Sequence, residues 1–327
     1  MSRSRDGAFA VSLADVLAAR ERIAKALIRT PLVLSDAASK RAGRPVYLKL
    51  ENLQRTGAFK VRGALSKVTN LTPEQRRQGL VCASSGNHGL GVAYASSRFG
   101  VPCVVVLPEN ANPHKMALLK DLGAEVVCYG ETSDVCQRKA DEISQEKGCS
   151  LVHSFADATL IAGQGTLGLE VLEDLPEVED VYVPVGGGGL ISGIAVAIRE
   201  QRPKARIWGV QPQHANSMWA ALRQGRVVAL EEVRTVADGL AARITSELNF
   251  VLVQGYVEDV ILVSDQAILD SMWFLLEHAK VLVEPSGAAS FAGLLAHAKR
   301  GGPAVGVMSG GNISLRQIEE LRQVQGS

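Results

Sequence analysis

Asn52-Leu53-Gln54-Arg55-Thr56-Gly57-Ala58-Phe59-Lys60-Val61-Arg62-Gly63-Ala64 lies between two unlike patterns. Before it runs Val46-Tyr47-Leu48-Lys49-Leu50, a short apolar stretch of strand length. After it an apolar segment begins with helical spacing. Thr56-Gly57 is the turn signal between them. Lys60 stands at this junction beside Phe59. A lysine here is either a solvated charge at a helix start, its commoner setting, or a buried amine available for carbonyl chemistry. The rest of the chain decides between the two.

Working outward, strand, loop and helix recur. Apolar runs appear at Leu80-Val81-Cys82-Ala83, Cys103-Val104-Val105-Val106-Leu107 and Ala124-Glu125-Val126-Val127-Cys128. Others follow near Leu151-Val152, Val181-Tyr182-Val183-Pro184-Val185, Arg206-Ile207-Trp208-Gly209-Val210, Val260-Ile261-Leu262-Val263 and Ala304-Val305-Gly306-Val307-Met308. Helical stretches are expected from Gly89 to Phe99, His114 to Leu122 and Asp134 to Lys147. Ser12 with Asp15 marks the cap of a first helix running to about Leu27. Continuous rather than alternating apolar strands, separated by helices, predict an α/β fold. Its open parallel sheets are flanked by helices.

At 327 residues, the chain has room for about two domains of ~150 residues. No linker or charge block separates them, so they are expected to interleave. The net charge of +1 gives no electrostatic ground for nucleic acid or an anionic membrane. No apolar run approaches the ~20 residues that span a bilayer, and the N-terminus lacks the apolar core of a secretory signal. The five cysteines include no Cys-x-x-Cys pair. Cys82, Cys103 and Cys128 lie in apolar runs and are expected to be small buried hydrophobes. A reducing cytoplasm fits.

Ligands of open parallel sheets sit beyond the carboxyl ends of the strands. Ser84-Ser85-Gly86-Asn87-His88 follows one such end; it suits either a carboxylate at a helix start or a plain capped terminus. Gly186-Gly187-Gly188-Gly189-Leu190 follows another. Four glycines are entropically expensive unless a bare backbone is needed, and phosphate is the natural guest of successive N–H groups. Ser309-Gly310-Gly311-Asn312 follows a third. The stretch Gly163-Gln164-Gly165-Thr166-Leu167-Gly168 matches a dinucleotide pattern, but no strand runs into it. A nicotinamide-dependent oxidoreductase is the competing class, and it lacks this context. Glycines in a closely packed helix explain the stretch better. The six histidines show no metal-ligand spacing.

In this order and at these distances, the four loops resemble the serine/threonine dehydratase and serine racemase family. These enzymes use pyridoxal 5′-phosphate (PLP) on the tryptophan-synthase-β type of fold. The resemblance covers nearly the whole chain. It is most specific at Phe59-Lys60-Val61-Arg62-Gly63-Ala64 and at residues 186–190. It implies that Lys60 forms the Schiff base with PLP and then acts as base at the substrate α-carbon. Phe59 packs against the ring, and Asn87 bonds the ring hydroxyl. Ser309 faces the pyridine nitrogen, and Gly186, Gly187, Gly188, Gly189 and Leu190 hold the phosphate. Ser84, Ser85, Gly86, Asn87 and His88 surround the substrate carboxylate. A neutral hydroxyl at the ring nitrogen implies a weaker electron sink and favours β-elimination of water from L-threonine or L-serine. The products would be a 2-oxo acid and ammonia. Residues 76–156 would form a small mobile domain, and 1–75 with 157–327 the large PLP-binding domain. The family also implies a homodimer or homotetramer.

Four differences from one branch or another of these relatives stand out. Ala58 replaces a serine common in relatives, and Val61 replaces the aspartate of relatives that build cysteine or threonine. Gln211-Pro212-Gln213-His214-Ala215-Asn216-Ser217 lacks the acids of the divalent-cation site, so no metal is expected. With the sequence ending at Ser327, no C-terminal regulatory domain is expected. Ser85 keeps a racemase reading open, on serine or hydroxyaspartate, because racemising relatives use a serine before Gly-Asn as acid and base.

Overall fold

The computed structural model describes residues 10–111, 113–297 and 301–325. Among them the strands are β1 (Leu32–Leu34), β2 (Val46–Leu50), β3 (Leu80–Ala83), β4 (Cys103–Leu107), β5 (Glu125–Cys128), β6 (Ser150–Leu151), β7 (Asp180–Pro184), β8 (Arg206–Pro212), β9 (Asp259–Val263) and β10 (Ala304–Met308). They form two sheets. One has the order β1-β2-β10-β7-β8-β9 and the other β5-β4-β3-β6. Every pairing is parallel except β1 with β2. The expected α/β architecture is therefore present, with β4, β7 and β10 buried along their whole length as continuous apolar strands require.

β1 is not evident in the sequence. It has three residues, follows Pro31 directly and exposes Val33 and Leu34, so it carries almost no pattern. Cys128 also departs from expectation: it is exposed, whereas Cys82 and Cys103 are buried. The reason is position, since β5 is an edge strand with a half-open face.

The strand order places the site. β2, β10 and β7 are consecutive neighbours. Their carboxyl ends lead to Lys60, Ser309 and Gly186, so three loops far apart in sequence converge. The helix Lys60–Thr69 follows the first loop. Its Val61, Ala64, Leu65 and Val68 are buried in one apolar cluster with Cys82 and Val105 of the second sheet.

The helix Ala158–Asp174 contains the 163–168 stretch in its interior. A Cβ on Gly163 would lie 2.6 Å from the Arg62 carbonyl oxygen, and one on Gly165 2.8 Å from the Gly193 carbonyl oxygen. These glycines serve close helix packing, and the dinucleotide reading falls away. No helix among the described residues is long and apolar enough to cross a membrane.

Candidate active site

Lys60 starts its helix, and Phe59 immediately before it is pinned by a backbone bond from its N–H to the Ser309 carbonyl, 3.0 Å. Ala58 bridges Gly310. The lysine loop is thus zipped to the loop after β10. Lys60 Nζ lies 5.3 Å from the centre of the Phe59 ring and donates to the Ser154 carbonyl at 2.9 Å. No carboxylate pairs with it among the described residues. Burial lowers its pKa to about 8, against the pull of Glu284. About a tenth of the amine is therefore unprotonated at pH 7, far more than for an ordinary lysine.

Lys60 shares a cleft with Phe59, Ser309 and residues 186–190. All four loop glycines sit in tight surroundings. A Cβ on Gly187 would meet the Phe155 ring at 2.3 Å, and Gly188 has φ +100°. The Gly187 carbonyl accepts from Thr245 Oγ1 and Asn249 Nδ2, each at 2.9 Å. In a trans peptide, C=O and N–H point opposite ways, so this anchoring turns the Gly188 N–H away from Thr245 and Asn249. None of the N–H groups of Gly186, Gly187, Gly188, Gly189 and Leu190 donates to a backbone oxygen among the described residues. The helix Gly189–Arg199 adds its N-terminal dipole. Unpaired donors at a helix start fit the phosphate of PLP.

Ser309 is buried, and its Oγ makes one long bond, 3.5 Å, to the Ser286 carbonyl. A hydroxyl so weakly engaged keeps its capacity for a ring nitrogen.

The loop after β3 is tied to the loop after β10 through Asn87 and Asn312. Ser84, Ser85, Gly86 and Asn87 are half-buried there, and His88 is buried; none of the five lines the cavity around Lys60. The helix Asn87–Phe99 begins two residues earlier than expected and has no side-chain cap. Its first N–H groups therefore have no side-chain competitor for a carboxylate. His88 Nε2 donates to the Val152 carbonyl at 2.9 Å. Burial, helped by the Lys60 charge, drops its pKa to about 3, so it is neutral.

Asn87 leads to a residue that sequence reasoning missed. Asn87 Nδ2 donates to Glu284 Oε1 at 2.6 Å, and Asn87 Oδ1 accepts from Asn312 Nδ2 at 2.7 Å. Burial, together with Asp238, raises the Glu284 carboxyl to about 7. Glu284-Pro285 precedes a helix, and an acid before proline is no recognisable signal. The structure also adds Gly239 and Gln164 to the cleft.

Behind Lys60 lies a buried ionic cluster. Lys49 Nζ meets Glu170 Oε2 at 2.6 Å and the Thr30 carbonyl at 2.7 Å. Arg62 bonds Glu51 and Glu170 through Nε, Nη1 and Nη2 at 2.7–2.9 Å. Burial opposes the charge on Arg62, yet the two carboxylates hold it protonated above its ordinary value. Among the described residues, no group of three or more His, Cys, Asp or Glu is placed to hold a metal ion.

The family described as "Pyridoxal-phosphate dependent enzyme" matches residues 23–310. The chain is 43% identical to an L-threonine ammonia-lyase of Thermotoga maritima over 312 residues, 95% of this chain and 78% of that one. It is 38% identical to a catabolic L-threonine dehydratase of Escherichia coli, covering 95% of this chain and 96% of that one. Among solved structures, maize serine racemase superposes with a TM-score of 0.92 at 34% identity, covering 97% and 98% of the two chains.

Proposed function

The chain belongs to the pyridoxal-phosphate dependent enzyme family, and we propose that it is an ammonia-lyase. It would remove water from L-threonine or L-serine and release a 2-oxo acid and ammonia. One observation carries this reading. A lysine amine without an ionic partner shares a cleft with a row of unpaired backbone N–H groups at a helix start. The names of the relatives support the threonine assignment.

When bound, PLP supplies an electron sink for the substrate α-carbon. The chain's own residues do the rest. Lys60 would hold the cofactor through its amine, whose proton burial makes easier to lose. The same amine would be the base placed for the substrate α-proton. Gly186, Gly187, Gly188, Gly189 and Leu190 would hold the phosphate through main-chain donors, and Phe59 would flank the ring. Asn87 is held by Glu284 and Asn312 with its amide orientation fixed, so its remaining Nδ2–H is the group available to the ring oxygen. Ser309 would meet the ring nitrogen as a neutral hydroxyl and would supply no charge to keep a proton there. Ser84, Ser85, Gly86, Asn87 and His88 bind the substrate carboxylate at the uncapped helix start.

Residues 76–156 form the small domain that closes on the cleft, and 1–75 with 157–327 the large one. The protein works in the cytoplasm as a homodimer or homotetramer.

The test is oxo-acid release from a panel of β-hydroxy amino acids, with chiral analysis of residual serine. The purified protein should absorb near ~415 nm, the band of a lysine-bound PLP. Lys60→Ala should lose both band and turnover. A coloured protein that releases no oxo acid from any member of the panel overturns the lyase assignment. A change in serine enantiomer ratio would reveal racemisation.

A further inference from the structure

Asn249 is fully buried in the first turn of the helix Glu247–Tyr256. Its Nδ2 donates twice, to the Gly187 carbonyl at 2.9 Å and to the Phe155 carbonyl at 3.0 Å. Thr245, also buried, gives the Gly187 carbonyl a second donor through Oγ1 at 2.9 Å. One carbonyl of the glycine loop thus has both lone pairs filled by side chains. The Asn249 Oδ1 is buried without a partner. A leucine of similar size would avoid that penalty, so the value of an amide here lies in its two donors.

A run of four glycines has soft dihedrals, and its peptide planes turn easily unless something outside the loop holds them. Two donors on one carbonyl hold the 187–188 peptide. Asn249 also backs this peptide closely, since a Cβ on Gly188 would come 3.0 Å from the Asn249 Cβ. The peptide's other end is the Gly188 N–H. It donates to no backbone oxygen among the described residues, and Gly188 lines the cleft that holds Lys60. The second Asn249 hydrogen reaches Phe155, whose neighbour Ser154 accepts from the Lys60 amine. The same amide therefore ties the glycine loop to the segment that holds the lysine.

We infer that Asn249, together with Thr245, is a positioning residue for the phosphate of the cofactor. It acts through the main chain: it sets the plane of the Gly187–Gly188 peptide so that the Gly188 N–H faces the anion. The inference rests on the PLP reading above. A donor aimed in advance favours the phosphate ester and not the ring. Loss of the anchor therefore weakens PLP and spares pyridoxal, which has no phosphate.

The experiment frees the full-length protein of its cofactor and titrates it with PLP and with pyridoxal, following the visible band. Asn249→Leu removes both donors and should weaken PLP about tenfold. Thr245→Val keeps the shape of the side chain, removes only the hydroxyl and should weaken PLP about fivefold; both values are the scale of one or two neutral hydrogen bonds. Pyridoxal should stay within twofold of the parent in both variants. Thr245→Ser, which keeps the hydroxyl, should bind PLP within twofold of the parent. If Asn249→Leu fails to fold, the two Thr245 variants decide alone. Equal losses of PLP and pyridoxal, as a merely structural role would give, overturn the inference. So does PLP affinity within twofold of the parent in either weakened variant, or a Thr245→Ser protein as weak as Thr245→Val. A parent protein that takes up no PLP overturns the cofactor reading itself, and this inference falls with it.

Discussion

Two lysines drawn away from solvent stand one just before the 52–64 stretch and one within it. Lys49 is fully buried on β2 and answered by its surroundings: Glu170 meets its amine, and the Thr30 carbonyl takes a second proton. Lys60, eleven residues on, has one neutral carbonyl as partner. Burial lowers both amines, but Glu170 opposes it at Lys49 through direct contact, while Glu284 acts on Lys60 without one. The difference separates two uses of one side chain. A structural cation is built into a neutral cluster, with Arg62, Glu51 and Glu170 completing the charges. A reactive amine is buried and left without a counter-ion, so that losing its proton is cheap.

Removing each lysine tests this contrast most strongly. Lys49→Met leaves Glu170 and Glu51 with a single cation between them. It should destabilise the cofactor-free protein by about 3 kcal/mol, the scale for breaking a buried pair. Lys60→Met removes an amine with no ionic partner, and its unfolding free energy in urea should stay within about 1 kcal/mol of the parent's. Comparable losses for the two would erase the distinction.

A second contrast lies in pH. The Lys60 amine attacks a carbonyl only when unprotonated, so capture of PLP by the cofactor-free protein should speed up as pH rises. The rate should climb about tenfold per unit below pH 8 and level off above about 8, where the lysine has lost its proton. Rapid-mixing absorbance reads this directly. A rate still rising toward pH 10 would give Lys60 an ordinary lysine pKa.

The smallest effect concerns Glu284, the carboxylate nearest to restoring a partner for Lys60. Its folded pKa is raised to about 7 from 4.5, so the folded state binds a proton more tightly than the unfolded chain. The stability this gives is complete below pH 4.5 and is lost as pH rises through 7. Glu284→Gln should therefore gain about 1 kcal/mol on the parent between pH 5 and pH 6 in urea titrations. Equal pH slopes for the two proteins would show that this carboxyl ionises normally.

The sequence carries one side of this comparison and hides the other. Lys60 is legible because glycines and small polar residues at strand ends are scarce signals that fall into register once the sheet is assumed. Lys49 sits inside a stretch read simply as an apolar strand. Its partner Glu170 is 121 residues away on a helix whose glycines drew the attention. Long-range charge pairing has no local period, so no window of sequence reveals it. Glu284 was missed for the same reason: it is an ordinary polar residue whose role is set by burial. The first and last strands of the large sheet show the limit of pattern as well, since β9 announces itself in four apolar residues and β1 does not.

The glycines of the helix Ala158–Asp174 have a consequence for tolerance. Gly163 rests against the backbone of Arg62 and Gly63, and Gly165 and Gly168 rest against Gly193 and Ile194. One rod thus touches, at main-chain distance, both the helix that begins with the reactive amine and the helix that begins with the anion cradle. Side chains can repack to absorb a shift, but abutting backbones cannot. The span between amine and cradle is consequently gauged by the thickness of a bare helix, as a machinist sets a gap with a feeler blade. A single methyl on this blade would change the gap for a ligand whose own length is fixed by covalent bonds.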